Sequence, residues 1–218
     1  MTKYFQGVIF DLDGTLADTL ADIADRVNHV LSGHGFPTHD YDSYRYYVGN
    51  GIRNLVIRSL PEQNRDNETV DTCFHQVMAD YEQNFISKTK LYDGVPALLD
   101  ALESQKIRLA VLSNKADPIT RKICAVLLEK WKFDIILGAS ARFPHKPDPA
   151  SALYVADRMH VDPSHVLYLG DSNVDMQTAV AAGFYPIGVT WGFRPRQELL
   201  DGGARATIDH PMDLLSVF

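Results

Sequence analysis

Positive charge is scarce in this 218-residue chain: 21 Lys and Arg stand against 28 Asp and Glu, for a formal net charge of −7. A nucleic-acid groove needs a basic face, so this balance argues against nonspecific nucleic-acid binding. Any anionic substrate must be drawn in by a local cluster of cations. Cysteine is nearly absent. Cys73 and Cys124 stand alone, without the spacing of a metal-binding motif, and are read as buried and reduced. No apolar run approaches the ~20 residues of a membrane-spanning helix, so no membrane partner is expected. The first residues lack the charged, apolar and small-residue blocks of a secretory signal, which makes a cytoplasmic location the default. No internal repeat or low-complexity segment stands out.

What is present is a core in short pieces. Apolar residues make up 45% of the chain, enough for one large domain or a domain carrying an insertion. After Asp18, the residues Leu20, Ile23, Ala24, Val27, Val30 and Leu31 recur at helical spacing, and Gly33 and Gly35 close the segment. A second helix is expected over 51–60, and a third with Val70, Phe74, Val77, Met78, Tyr81 and Phe85 on one face. From Val95 onward the pattern alternates, with helices over 95–102, 118–129, 149–159 and 173–182. Strands are expected between them over 107–112, 134–137, 166–169 and 186–189. Such alternation predicts an α/β fold with a doubly wound parallel sheet, interrupted by an inserted helical bundle.

Asp11-Leu12-Asp13-Gly14-Thr15 follows the apolar run Gly7-Val8-Ile9-Phe10. Such a run reads as a buried parallel strand, and its C-terminal end is where open α/β sheets hold their ligands. On a strand-like path Asp11 and Asp13 project to the same side. Two converging like charges cost free energy unless a cation or a shared proton compensates, and oxygen ligands suit a hard ion such as Mg2+. Gly14 permits a tight turn, and Thr15 brings a hydroxyl close to the carboxylates.

Asp11-Leu12-Asp13-Gly14-Thr15-Leu16 resembles the first motif of the haloacid dehalogenase superfamily. Leu112-Ser113-Asn114-Lys115 resembles the second, Lys146-Pro147 the third, and Gly170-Asp171-Ser172-Asn173-Val174-Asp175 the fourth. Each alone has a plain reading: a strand-end turn, an exposed loop lysine, a helix-capping aspartate. Their order, each on a strand or its loop, carries the resemblance. It implies a Rossmann-like core from residues 1–17 and 90–218, with residues 18–89 forming a helical cap that selects the substrate.

The resemblance further implies that Asp11 is a nucleophile forming an aspartyl-phosphate and that Asp13 is the general acid and base. Ser113, Asn114 and Lys146 would bind the phosphate. Mg2+ would be held by Asp11, Asp171 and the Asp13 backbone carbonyl, with Thr15 and Asp175 behind them. Tyr47 to Val56 resembles the cap specificity loop of the phosphoglycolate phosphatase-like branch, which marks Gly49, Asn50, Gly51 and Arg53 as candidate substrate contacts. Gly188 to Phe193 with Arg196 is similar to that branch's C-terminal region. The expected substrate is a small phosphorylated metabolite such as 2-phosphoglycolate, and the protein a monomer or homodimer.

Rival chemistries differ in letters. A dehalogenase of the superfamily lacks the second aspartate, here Asp13, and the Schiff-base hydrolases need a cap lysine, whereas no Lys occurs between Lys3 and Lys88. Pyrophosphatase, nucleotidase, sugar-phosphate phosphatase and phosphomutase activities share the motifs and stay open. So does a non-enzymatic phospho-accepting or ligand-binding role, which an activity assay separates.

Overall fold

The computed structural model describes residues 5–218. The first four residues of the expected core segment 1–17 lie outside it.

Six parallel strands form the sheet, in the order β5-β4-β1-β6-β7-β8: β1 (Gly7–Phe10), β4 (Arg108–Ala116), β5 (Ile135–Ala139), β6 (Val166–Gly170), β7 (Tyr185–Val189) and β8 (Ala206–Ile208). The central strands β1 and β6 are buried along their whole length because both faces of the sheet are covered. Val8 and Phe10, with Leu109, Val111, Leu167 and Leu169, belong to the core under α5 (Val95–Ser104) and α6 (Asp117–Leu127). Ile9, Ala110, Leu112, Val166 and Tyr168 point the other way, into a second core with Ala152, Val155 and Met159 of α7 (Ala150–Met159) and Ala179 of α8 (Asn173–Ala181). This is the period of two in a strand buried on both sides.

The sequence runs outward from β1 to β4 and β5 on one side, and through β6, β7 and β8 on the other. β1 is therefore the switch point, where a crevice opens beyond the strand ends. Phe10 lies beside Val111 and Leu169 in register, so the residues that follow Phe10, Leu112 and Gly170 emerge together.

Between β1 and β4 the chain leaves through β2 (Ala17–Asp18) and returns through β3 (Lys90–Leu91), which pair antiparallel. Between these two strands lie α1 (Leu20–Gly33), α2 (Tyr41–Tyr47), α3 (Ile52–Ser59) and α4 (Asn67–Gln83). The return is tied down by Asp22, which accepts hydrogen bonds from the backbone N–H groups of Ser87, Lys88 and Thr89 and from the Thr89 hydroxyl. α2 has only Tyr44 buried, and Asp40 caps it by accepting from the Ser43 N–H. The buried face of α4 is Val70, Cys73, Val77 and Tyr81, a tighter helical stripe than the one expected: Phe74 is half-buried and Phe85 falls beyond the helix end. The last short helix, α9 (Arg196–Asp201), leads to β8. Cys73 and Cys124 are both buried and free, and no helix among the described residues is long and apolar enough to cross a membrane.

Candidate active site

Three strand ends and one loop supply the site. Asp11 and Asp13 follow β1, Ser113, Asn114 and Lys115 lie in the extended C-terminal part of β4, Asp171 follows β6, and Lys146 comes from the loop between β5 and α7. All seven line one cavity with Gly49, Gly51 and Ile52 of the helical insert. The cavity encloses about 50 Å3, room for a few water-sized groups.

Carboxylates crowd its floor. Asp11, Asp171 and Asp175 are buried and each offers an oxygen within 4.8 Å of the others. Burial, then the neighbouring Asp175, pushes the Asp11 carboxyl up to about 7 against the pull of Lys146. Asp171 is raised well above its ordinary value, again by burial first and then by Asp175 and Asp11, although it accepts a 2.7 Å hydrogen bond from the Phe193 N–H. One ammonium faces this cluster: Lys146 Nζ lies 3.0 Å from Asp11 Oδ1 and 2.6 Å from Asp175 Oδ1. Burial opposes the Lys146 charge, but the two carboxylates outweigh it and raise its pKa well above the ordinary lysine value. Three carboxylates against one ammonium in a dry setting, with oxygen donors only, are the donor set that fits a hard divalent cation. Asp175, expected behind the metal ligands, sits within this cluster.

Two glycines make the crowding possible. At Gly14 the backbone is left-handed, φ +83°, and a Cβ there would lie 2.2 Å from Asp171 Oδ2. A Cβ on Gly192 would lie 2.3 Å from Asp171 Cβ. Only a bare backbone lets both turns close on that carboxylate.

The other polar residues act around this cluster. Ser172 caps α8 in a reciprocal box with Asp175, whose Oδ2 accepts from the Ser172 hydroxyl at 2.6 Å. Asn114 accepts from the Lys146 N–H at 2.9 Å and donates to the carbonyls of Lys146 and Gly49 at 3.1 and 3.0 Å. Its amide therefore shapes the lysine loop and joins it to the insert. The Ser113 Oγ accepts from the Lys115 N–H at 3.2 Å. The Thr15 carbonyl accepts from Trp191 Nε1 at 3.0 Å, and the Thr15 hydroxyl is buried without a partner.

The expected insert contacts divide. Gly49 and Gly51 line the cavity; Arg53 does not, and pairs instead with Asp71 on an exposed face of α4. The cause is helical geometry. α3 turns Ile52 and Leu55, three residues apart, toward the cavity, and Arg53, about 100° further round, faces away. Asn50 likewise stands off the cavity wall, its carbonyl accepting from the Asn54 side chain at 2.8 Å.

Sequence reasoning missed three cations. Lys115 donates to both oxygens of Asp13, at 2.8 and 3.1 Å. Burial opposes its charge, and the Asp13 carboxylate and Tyr81 outweigh burial, so its pKa is raised. Arg194 lines the cavity and donates to the Val48 carbonyl at 2.9 Å, while Arg45 of α2 donates to the Gly192 carbonyl at 3.1 Å. These two arginines cross in opposite directions between the insert and the loop after β7. No local pattern marks a residue whose partner lies more than a hundred positions away; only the position of Lys115 beside Ser113 and Asn114 was a signal.

Comparison with known proteins agrees with this geometry. The profile of the haloacid dehalogenase-like hydrolases matches residues 8–189. Phosphoglycolate phosphatase of Aquifex aeolicus is 30% identical over 211 residues, 96% of this chain and 95% of its own length. That of Pseudomonas putida is 34% identical over 193 residues, 85% of this chain and 70% of its own. A crystal structure from Lactobacillus delbrueckii subsp. bulgaricus, provisionally named a phosphoglycolate phosphatase, superposes with a TM-score of 0.90 at 25% identity, covering 97% of both chains. With its acidic strand ends, its paired lysine and a relative that matches nearly end to end, this chain belongs to the haloacid dehalogenase-like hydrolases, on the side of the family whose named relatives are phosphatases.

Proposed function

We propose that the chain is a Mg2+-dependent phosphomonoester hydrolase working through an aspartyl-phosphate on Asp11, with a small phosphorylated carboxylate such as 2-phosphoglycolate as substrate. The observation that carries this reading is Lys146 set between two of the three converging carboxylates, at 3.0 Å from Asp11 and 2.6 Å from Asp175.

Asp11 Oδ1 accepts from the Leu12 N–H at 2.7 Å and meets Lys146 at 3.0 Å. The carboxylate plane is thereby held, and Oδ2 is the oxygen left for attack on phosphorus. Lys146 and the Ser113 hydroxyl bind the equatorial phosphate oxygens, where charge spreads in phosphoryl transfer. Asp13 gives a proton to the leaving oxygen as its bond to phosphorus breaks. Once ionised, it takes a proton from the water that attacks the aspartyl-phosphate. Asp11, Asp171 and the Asp13 carbonyl, with Asp175 beside them, would hold Mg2+, which when bound offsets the charge of substrate and carboxylates.

The helical insert, 18–89, serves as a cap. Gly49 and Gly51 line the cavity, where bare backbone lets the insert come close to a small substrate. Arg194 pairs through Nε with Glu198 at 3.2 Å and leaves its buried Nη1 without a partner, a donor for the carboxylate of such a substrate. A panel of phosphoglycolate, pyrophosphate, nucleoside monophosphates and sugar phosphates, compared by kcat/KM with Mg2+ and with EDTA, tests the reading. Phosphoglycolate should lead and EDTA should abolish turnover; a nucleotide in the lead, or full turnover without metal, overturns it.

A further inference from the structure

Core and insert line the shared cavity with different chemistry. Every charged or amide side chain in it, from Asp11 to Arg194, comes from the core. The insert turns in Ile23, Val48, Ile52, Leu55, Met78 and Tyr81, with Gly49 and Gly51 between them. The first five of those side chains are hydrocarbon or thioether, and Tyr81 presents its ring to Lys115 Nζ, 4.8 Å from the centroid. The Tyr81 hydroxyl, buried without a partner, is the one hydroxyl on this wall.

Packing along the wall is uneven. Ile23, Val48, Leu55 and Tyr81 are buried, whereas Ile52 at the start of α3 and Met78 of α4 are only partly covered. Apolar surface left open beside a charged cluster gains free energy when hydrocarbon covers it. A hydroxyl placed there loses its water and finds no partner. The core's own polar groups are engaged: Lys115 donates to Asp13, and the Asn114 amide to the carbonyls of Gly49 and Lys146. In the reading above the phosphate goes to Lys146 and Ser113 and the carboxylate to Arg194, all on the core. The carbon that joins these two groups has positions that neither site claims, and the wall facing the core is apolar.

We propose that this wall, with Ile52 and Met78 as its open part, is an apolar subsite that accepts an alkyl branch on the carbon bearing the phosphate and rejects a hydroxylated one. The substrate class then narrows to phosphate esters of short 2-hydroxy acids whose carbon chain carries no further hydroxyl. The proposal rests on the phosphorylated-carboxylate reading above.

Two isosteres test it. 2-Phospholactate and 2-phosphoglycerate of one configuration differ only by a hydroxyl on the branch methyl, and both are compared with phosphoglycolate by kcat/KM with Mg2+, in each configuration. In the better-accepted configuration the methyl branch should hold kcat/KM at or above that for phosphoglycolate, by up to about fourfold, the effect of one buried methylene. The added hydroxyl should then lower it by about 10- to 100-fold, the discrimination an apolar pocket achieves against such an isostere. Met78→Gln and Ile52→Thr, both close in size to the residues they replace, should each shrink the lactate-to-glycerate ratio by about fivefold or more by offering the hydroxyl a partner. Circular dichroism checks the fold, and if one variant does not fold the other decides. 2-Phosphoglycerate turned over as well as 2-phospholactate overturns the proposal and assigns the hydroxyl a partner on the wall, with Tyr81 the candidate. A methyl branch that costs about tenfold or more in both configurations, or a ratio unmoved in the folded variants, overturns it as well. Wild-type protein that fails on phosphoglycolate while hydrolysing another class of phosphate rejects the phosphorylated-carboxylate reading itself, a result distinct from these.

Discussion

Lys146 Nζ stands nearer to Asp175 Oδ1, at 2.6 Å, than to Asp11 Oδ1, at 3.0 Å. Asp175 thus anchors the lysine from behind while the same carboxylate closes the capping box of α8 through Ser172. Helix start and lysine loop are locked to one another.

Asp175→Ala should therefore cost stability and activity together. It leaves a buried ammonium with one carboxylate and removes the return half of the capping box, and breaking a buried pair costs about 3–5 kcal/mol. Urea unfolding at neutral pH measures the loss; a change within about 1 kcal/mol of wild type, the scale of a cap alone, would show that Lys146 does not depend on Asp175.

Gly14→Ala is predicted to damage the proposed metal site while leaving the sheet intact. The added methyl meets Asp171 Oδ2 at 2.2 Å, and the φ of +83° is itself unfavourable for alanine. Activity at saturating substrate should require a much higher Mg2+ concentration than in wild type. A Mg2+ titration of turnover checks this, and an unshifted curve contradicts it.

The insert loop gives a paired prediction. Arg53 points to Asp71 on an exposed face, so Arg53→Ala should change kcat/KM by less than about twofold, in keeping with exposed ion pairs. Gly51→Val is a different case: φ is +79° and a Cβ would stand 2.8 Å from His145 Cε1 in the Lys146 loop. The specificity constant for phosphoglycolate should fall much more than that for p-nitrophenyl phosphate. Equal losses on the two substrates would assign the loop to closure instead of selection.

Asp22 should make the seat of the insert sensitive to acid. Burial alone would raise its pKa, but the N–H groups of Ser87, Lys88 and Thr89 and the Thr89 hydroxyl outweigh burial and hold it below the ordinary 3.8. A carboxyl lowered in the folded state contributes stability that is complete above its unfolded value and is lost as pH falls through the folded one. The stability gap between wild type and Asp22→Asn should then be widest above about pH 5 and close below about pH 4. Urea unfolding across that range checks the sign, and a gap that widens in acid would reverse it.

Much of this was legible because it is local. The run before Asp11, the alternation after Val95, and the polar residues at the ends of β1, β4 and β6 all sit within a few positions of the pattern that reveals them. β4 proved longer than the expected 107–112, extending to Ala116, because Ser113, Asn114 and Lys115 continue in extended backbone where polar residues usually signal a turn. α2 and β8 escaped notice for lack of apolar periodicity: one buried residue, Tyr44, in the first, and only three residues in the second. Arg53 lies off the cavity because adjacency to Gly51 in sequence says little about which side of a helix a residue takes. Lys115, Arg45 and Arg194 find partners 102, 147 and 146 positions away, and no windowed pattern carries that information.

The central claim is that phosphate passes through Asp11. It is tested most directly by quenching the enzyme with borohydride during turnover of a phosphomonoester with Mg2+ and mapping the peptides by mass spectrometry, since hydride reduces an acyl phosphate to an alcohol. The account predicts homoserine at position 11, at no other aspartate, and only when substrate and metal are both present. Rapid turnover with Asp11 unmodified, or the label on another residue, would contradict it.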